Sequence, residues 1–349
     1  MRRRPSGDNA AGKELRPCTD TTNPAASPGR SSPPAGFAAT CTACIVSSMR
    51  WPRTAPPHHL CNGGSKSSDC WPWRQSRQQR ERGRNSRRGT EMSYLFRDQS
   101  WPQIQEHIEK NSLLILPVGT TEEHGPHLPV DTDARIAEAY GQRLTEALLP
   151  EIPVLLMDTI RYGYSMKIMR QWPGTIVVRS RVFMDMVFDI CRSVLDMGFG
   201  KLVMLGCHGH HSGPLNTVSR ELCDACDKAV AIISPAKLSA DAFNAVRKSP
   251  QGGAIHACEW ETSLLLELSP EVVNMSQATD VDTMRYHSDF VAGDGFLGRQ
   301  QVTWSTWYVQ ASKTGTYGTP TVATAATGKV IMDAAVANGA RFLVEYWNG

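Results

Sequence analysis

The chain has 349 residues, of which 41% are hydrophobic and 20% charged, with a formal net charge of +3 at neutral pH. That small figure conceals two unlike parts: residues 1–91 carry 16 Lys+Arg against 6 Asp+Glu, and the remainder 21 against 28. No run of 18 apolar residues occurs, which excludes a helical membrane span.

Residues 1–91 are rich in Pro, Ser, Arg and Gly and hold no sustained apolar period, the composition of a chain unable to bury a core. They read as a disordered basic extension. The Arg-rich run from Arg74 to Arg88 raises nucleic-acid association as an alternative. A secretory signal would need an apolar core, and a transit peptide an amphipathic Arg/Ser helix near the start; neither is present. The reading preferred here is an extension upstream of the true start, because Met92-Ser-Tyr-Leu-Phe opens ordinary globular sequence at once. No nucleic-acid partner is expected.

From Met92 the chain alternates short apolar runs with longer amphipathic ones, the pattern of a mostly parallel sheet between two helical layers. In order, Leu113–Val118 reads as a buried strand, Asp133–Leu148 as a helix and Pro153–Asp158 as a strand. A helix at Arg181–Met197, closed by Gly198 and Gly200, leads to a strand at Leu202–Leu205. A helix at Leu215–Cys226, a strand at Val230–Ile233 and helices at Glu259–Leu268 and about Thr324–Val344 complete the body. Cys41-x-x-Cys44 has no second pair to complete a zinc finger, and Cys223-x-x-Cys226 falls in a helical pattern as packing. The body reads as a reduced, cytoplasmic domain.

Gly119-Thr-Thr-Glu-Glu-His-Gly-Pro-His-Leu-Pro-Val-Asp-Thr-Asp133 concentrates carboxylates and imidazoles directly after the first strand. Such groups repel one another and resist desolvation unless a cation or a proton network neutralises them. Glu122 and His124 lie two apart, so an extended segment points both to one side. Gly206-Cys-His-Gly-His-His-Ser-Gly213 follows another strand, and open α/β sheets bind ligands at the carboxyl ends of their strands. His256-Ala-Cys-Glu-Trp-Glu261-Thr-Ser263 leads into an apolar helix. For Glu122, His124, Asp133 and His208 the alternative is a buried hydrogen-bonded network. For Glu261 it is a first-turn acid facing the helix dipole, and for His256 an ordinary structural histidine. Glu123 and His127 stand between orienting ligands and taking part directly. Trp304–Tyr308 reads as core before pocket wall, and His287, Asp289 and Asp294 as a solvated loop.

Pro117-Val-Gly-Thr-Thr-Glu-Glu-His-Gly-Pro-His-Leu-Pro-Val-Asp-Thr-Asp133 resembles the signature of the creatininase family. Tyr162-Gly-Tyr-Ser165, Trp172-Pro-Gly-Thr175, the His208 loop, His256…Glu261-Thr-Ser263 and Gly315-Thr-Tyr-Gly-Thr-Pro320 follow in the family's order, so the resemblance covers about residues 95–347. It implies a three-layer α/β/α fold, a homo-oligomer such as a hexamer, and two divalent ions, Zn²⁺ or Mn²⁺, that hydrolyse C–N bonds of cyclic amides or related small molecules. By position, Glu122, His124, Asp133 and His208 match metal ligands, with Asp133 as the bridge. Glu261 matches the glutamate completing the site in members that lack a carboxylate two residues after the loop histidine. His256 matches the acid or base, with Glu123 a further catalytic candidate.

The departures concern substrate. Many members read Asn-Gly-His-Gly-Gly-Asn where this chain has Gly206-Cys-His-Gly-His-His211, which makes His210 a further candidate ligand. Where a glutamate and a histidine are common, this chain has Ile168 and Met169 between Lys167 and Arg170. Those cations would suit an acidic small molecule, with Tyr164, Ser165, His211, Lys167 and Arg170 as its contacts. The expected function is metal-dependent hydrolysis of a small cyclic amide, formamide or lactone. An inactive metal-binding or ligand-sensing protein on the same fold is the alternative, and His210 distinguishes them: a saturated site leaves no open position for water.

Overall fold

The structure, a computed structural model, describes residues 93–281, 288–298, 301–302 and 312–349. The readings of the basic extension, of Cys41-x-x-Cys44, of His287 and of Trp304–Tyr308 lie outside the described residues.

In chain order the elements are α1 (Trp101–Glu109), β1 (Leu113–Val118), α2 (Thr132–Leu148), β2 (Val154–Leu156), α3 (Ser180–Asp196), β3 (Lys201–Gly206) and α4 (Ser212–Cys226). They continue with β4 (Val230–Ile233), α5 (Pro235–Leu238), α6 (Ala240–Val246), β5 (Ala254–His256), α7 (Glu259–Leu268), β6 (Tyr317–Gly318) and α8 (Ala325–Asn348). Four parallel strands pair in the order β2-β1-β3-β4, and β5 pairs with β6 antiparallel.

β1 is buried along its whole length because both faces of the sheet are covered. Leu113 and Ile115 join Val203, Leu205 and Val154 in a core completed by α2, α7 and α8. Leu114, Leu116 and Val118 point the other way, with Leu202, Met204 and Leu155, into a core completed by α3 and α4. The alternation follows from the two-residue period of a strand, and the result is the expected three-layer α/β/α fold. Each fully buried leucine contributes about 1.5–3 kcal/mol.

Every strand and helix expected from periodicity forms, with ends shifted by a few residues. Helix α1, absent from the expected elements, fully buries only His107 and packs half-buried Ile104 and Ile108, one turn apart, on the second core. Its start is set by a capping box in which the Ser100 N–H donates to Gln103 Oε1 at 2.8 Å. Strands β5 and β6 are three and two residues long, too short for any period to show. Cys223 is exposed and Cys226 half-buried, both free, so packing does not account for Cys223 as expected.

A second correction concerns Asp294, expected in a solvated loop. Its side chain is wholly buried and accepts from both terminal nitrogens of Arg247, at 3.1 and 2.9 Å, and from the backbone N–H groups of Gly252, Phe296 and Leu297. Asp289, by contrast, is exposed as expected. Burial pushes the Asp294 carboxyl upward, but Arg247 and the amides of Phe296 and Leu297 outweigh it and hold it below the usual range. Stability from this group is therefore present above the ordinary carboxyl pKa and lost as pH falls through the depressed folded value. Asp294→Asn leaves Arg247 buried without its counter-charge, so we expect a loss of about 3–5 kcal/mol. Thermal melts across pH should show the gap between the two proteins closing in acid.

Candidate metal centre

The loops after β1 and β3 are neighbours because those strands pair in register up to Val118 opposite Gly206. The Cys207 N–H still donates to the Val118 carbonyl at 3.1 Å, so His208 leaves the sheet beside the segment that carries Glu122. That segment is held extended on both sides: the Glu122 N–H donates to Val130 O at 2.8 Å, and the Ile176 N–H to Thr121 O at 3.0 Å. Asp133 comes in from the first turn of α2. A Cβ on Gly119 would sit 2.6 Å from Ala134 Cα, so only glycine lets the end of β1 approach the helix this closely.

His256 ends β5, and Ala257 after it takes φ 49°, a left-handed conformation costing about 1–3 kcal/mol for a non-glycine residue. The bend carries the chain straight into α7, where Glu261 occupies the N3 position of a capping box. Its Oε2 accepts from the Cys258 N–H at 3.4 Å while its Oε1 lies 3.9 Å from His124 Nε2. The capping reading and the site reading of Glu261 thus describe two oxygens of one carboxylate.

Two groups of three side chains bring ligand-type atoms within 4.8 Å of one another: Glu122, His208 and His210, and His124, His256 and Glu261. Asp133 stands between them, with Oδ1 3.4 Å from His124 Nε2 and Oδ2 2.8 Å from His208 Nδ1. Glu122 Oε2 lies 3.5 Å from His208 Nε2 and 3.8 Å from His210 Nδ1, and its Oε1 lies 3.7 Å from His256 Nδ1. Both Glu122 oxygens and His124 Nε2 are buried without a hydrogen-bond partner. A buried charged acceptor left so costs more than the roughly 1–3 kcal/mol of a neutral one.

These separations bear on the choice between a network and a metal site. Distances of 3.4–3.9 Å lie beyond the roughly 2.7–3.2 Å of a well-formed hydrogen bond. Two ligand atoms at about 2.0–2.2 Å from a shared tetrahedral ion lie roughly 3.4 Å apart. The residues therefore fit divalent ions better than they fit each other. His124 is also oriented as a ligand would be, its Nδ1 at 2.9 Å from the Glu122 carbonyl and its Nε2 turned to Asp133 and Glu261.

Electrostatics agree. Burial pulls His124 down, but Asp133, then Glu261 and Glu122, outweigh it and push it up to about 10. For His208, likewise, burial is overcome by Glu122 and Asp133. Burial pushes the Asp133 carboxyl up, yet His124 and His208 hold it well below the carboxylate range. The acids demand positive charge at the positions where ions would sit. His210 is pushed down to about 2 by burial and by His208 and His256, so it is a neutral imidazole, the ligating form.

The remaining expected site residues divide. Glu123 accepts from the Gly125 N–H through Oε2 at 2.9 Å, and its Oε1, 3.6 Å from His256 Nε2, has no hydrogen-bond partner. The same His256 nitrogen lies 2.8 Å from the Glu123 carbonyl. His127 pairs with Thr262 Oγ1 at 2.9 Å, and burial, with His124 and His256 nearby, pushes it down to about 4. His211 is fully buried, stacked on Phe183 at 4.2 Å, and accepts from the Tyr164 N–H at 3.1 Å. Ser165 is buried with an unpartnered hydroxyl, whereas Lys167 and Arg170 are exposed on a short 3-10 turn.

A residue not singled out in the sequence, Thr175, links these parts: its Oγ1 accepts from the Glu123 N–H at 3.1 Å and donates to Met169 O at 2.8 Å. Its place in Trp172-Pro-Gly-Thr175 was the available signal.

A family model described as Creatininase: Creatinine amidohydrolase matches residues 97–343. The chain belongs to the creatininase family. Among curated proteins, the mycofactocin precursor peptide peptidase of Mycobacterium tuberculosis (strain ATCC 25618 / H37Rv) is 33% identical over 229 residues, 64% of this chain and 81% of that protein. The 3-dehydro-scyllo-inosose hydrolase of Thermotoga maritima is 27% identical over 196 residues, 54% of this chain and 60% of that protein. A solved structure described as Creatininase Mn superposes with a TM-score of 0.61 at 22% identity, over 74% of this chain and 100% of its own. This creatininase-family member is thus similar to hydrolases whose named substrates differ.

Gly119→Ala should drive the new methyl into the α2 backbone and shift Asp133. We expect about 1–3 kcal/mol of destabilisation and a loss of bound metal well beyond that of a surface Gly→Ala control, read by melting and elemental analysis.

Proposed function

We propose that this creatininase-family chain is a metal-dependent hydrolase that uses a two-ion centre to cleave an amide C–N bond, or a lactone, in a small molecule. The observation that carries the reading is the set of 3.4–3.9 Å separations among buried, unpartnered carboxylate and imidazole atoms. Glu122, His208 and His210 would hold one ion, and His124 and Glu261 the other, with Asp133 shared. Zinc and manganese both suit this mixed nitrogen and oxygen set. Divalent ions there would lower the pKa of a water towards neutrality and polarise the scissile carbonyl.

The chain's own residues then manage protons. His256 takes the proton from the attacking water and returns it to the leaving nitrogen. Burial and His124 oppose the protonated form of His256, but Glu123, Glu261 and Glu122 outweigh them and raise its pKa. Glu123 Oε1, 3.6 Å away, stabilises the imidazolium, as an orienting carboxylate does in other acid–base sites. With His256 reserved for protons, the second ion keeps three protein ligands and an open position for water.

Segment 163–175 is the candidate for holding the substrate, because it is tied to the site at Tyr164, Met166 and Thr175. Tyr164 and Ser165 lie nearest those anchors; Lys167 and Arg170, on its outer surface, would meet an anionic group, and His211 shapes the segment from beneath. A cyclic amide or formamide is the first reading of the substrate. A peptide amide is the second, favoured by the 33% identity to a peptidase.

Elemental analysis of metal-replete protein should find about two ions per chain. His208→Ala should lose metal and turnover together. His256→Asn should keep metal and lose about 10²–10⁴-fold in kcat, assayed on lactams, N-formyl amides, lactones and short peptides. Protein without stoichiometric metal, or a His256→Asn variant that loses metal, would overturn this assignment.

A further inference from the structure

Strands β5 and β6 set His256 directly opposite Tyr317, across a register shift between Ala254 and His256. Such irregularities re-aim side chains beside active sites. The two rings come to 6.0 Å at 65°, and Tyr317 also meets Trp172 edge to face, at 6.4 Å and 89°. Tyr317 is 1% exposed. The chain just before its strand runs against Glu123: a Cβ on Gly315 would strike the Glu123 carboxylate, and Gly315 adopts φ +86°. Glu123, His256 and Tyr317 therefore form one wall of the centre.

This wall is rich in acceptors. Ionised carboxylates can only accept hydrogen bonds, so they cannot relieve negative charge that develops on a substrate oxygen. A tyrosine hydroxyl keeps its proton at neutral pH.

We propose that Tyr317 is a further catalytic residue, whose hydroxyl donates a hydrogen bond to the oxyanion that forms at the substrate carbonyl. This rests on the hydrolytic reading above and adds a donor to it. Tyr317→Phe keeps the ring against His256 and Trp172 and removes only the hydroxyl. In the metal-loaded full chain, inorganic phosphate serves as a tetrahedral oxyanion probe by calorimetry, beside kcat on whichever panel compound is turned over. Metal content should stay at the wild-type level while phosphate binding weakens about tenfold. The kcat should fall about 10²-fold at nearly constant KM.

Phosphate affinity and kcat both within about twofold of wild type would overturn the inference alone, and loss of metal from the variant would recast Tyr317 as structural. A wild-type chain that takes up no metal would overturn the hydrolytic reading and this inference with it.

Discussion

The structure turns on the burial of Glu122 and Asp133 within one cluster, where neither Glu122 side-chain oxygen has a hydrogen-bond donor among the described residues. Two carboxylates in such a place are tolerable only with positive charge between and around them. His124 and His208 answer part of that demand, since the surrounding acids raise the basicity of both against the effect of burial. The hydrogen-bond geometry remains poor, with one short contact from His208 to Asp133 and otherwise a set of separations suited to a shared ion. A site built to be self-sufficient would have closed those gaps.

The rest of the fold serves that burial. Parallel pairing of β1 with β3 delivers two loops to one end of the sheet, and helices on both faces exclude solvent beneath them. Gly119 permits α2 to bring Asp133 within reach, and the left-handed turn at Ala257 joins His256 to the first turn of α7. These features spend conformational freedom and some strain at the place where the chemistry is proposed. The buried Arg247–Asp294 pair anchors the neighbouring Gly252 and Phe296–Leu297 segments more conventionally.

The chain's likeness to a peptidase and to an inosose hydrolase fits a division of labour within the molecule. In the proposed function the buried cluster binds ions and moves protons. Segment 163–175 carries one of the two departures from the family's usual residues and is tied to the cluster by hydrogen bonds at Tyr164, Met166 and Thr175. On the proposed function, substrate choice would change there without disturbing the carboxylates beneath.

Much of this was legible in the sequence. Leu113–Val118, Leu202–Leu205 and the long amphipathic helices announce themselves through local periods, because burial on one or two faces acts on each residue in turn. The density of acid and imidazole in Gly119–Asp133 likewise shows without any fold, since its cost exists wherever it is buried. Asp294 and Tyr317 were not legible in this way. One becomes a buried ion pair with a residue 47 positions earlier, and the other faces His256 across a two-residue strand. By itself the sequence determined the layers of the sheet, the chemical character of the loop after β1 and the family. Only the tertiary structure decided that Asp133 stands between two groups of carboxylate and imidazole side chains and that Tyr317 lies against His256. Those relations depend on strand register and chain crossing, which no local spacing encodes.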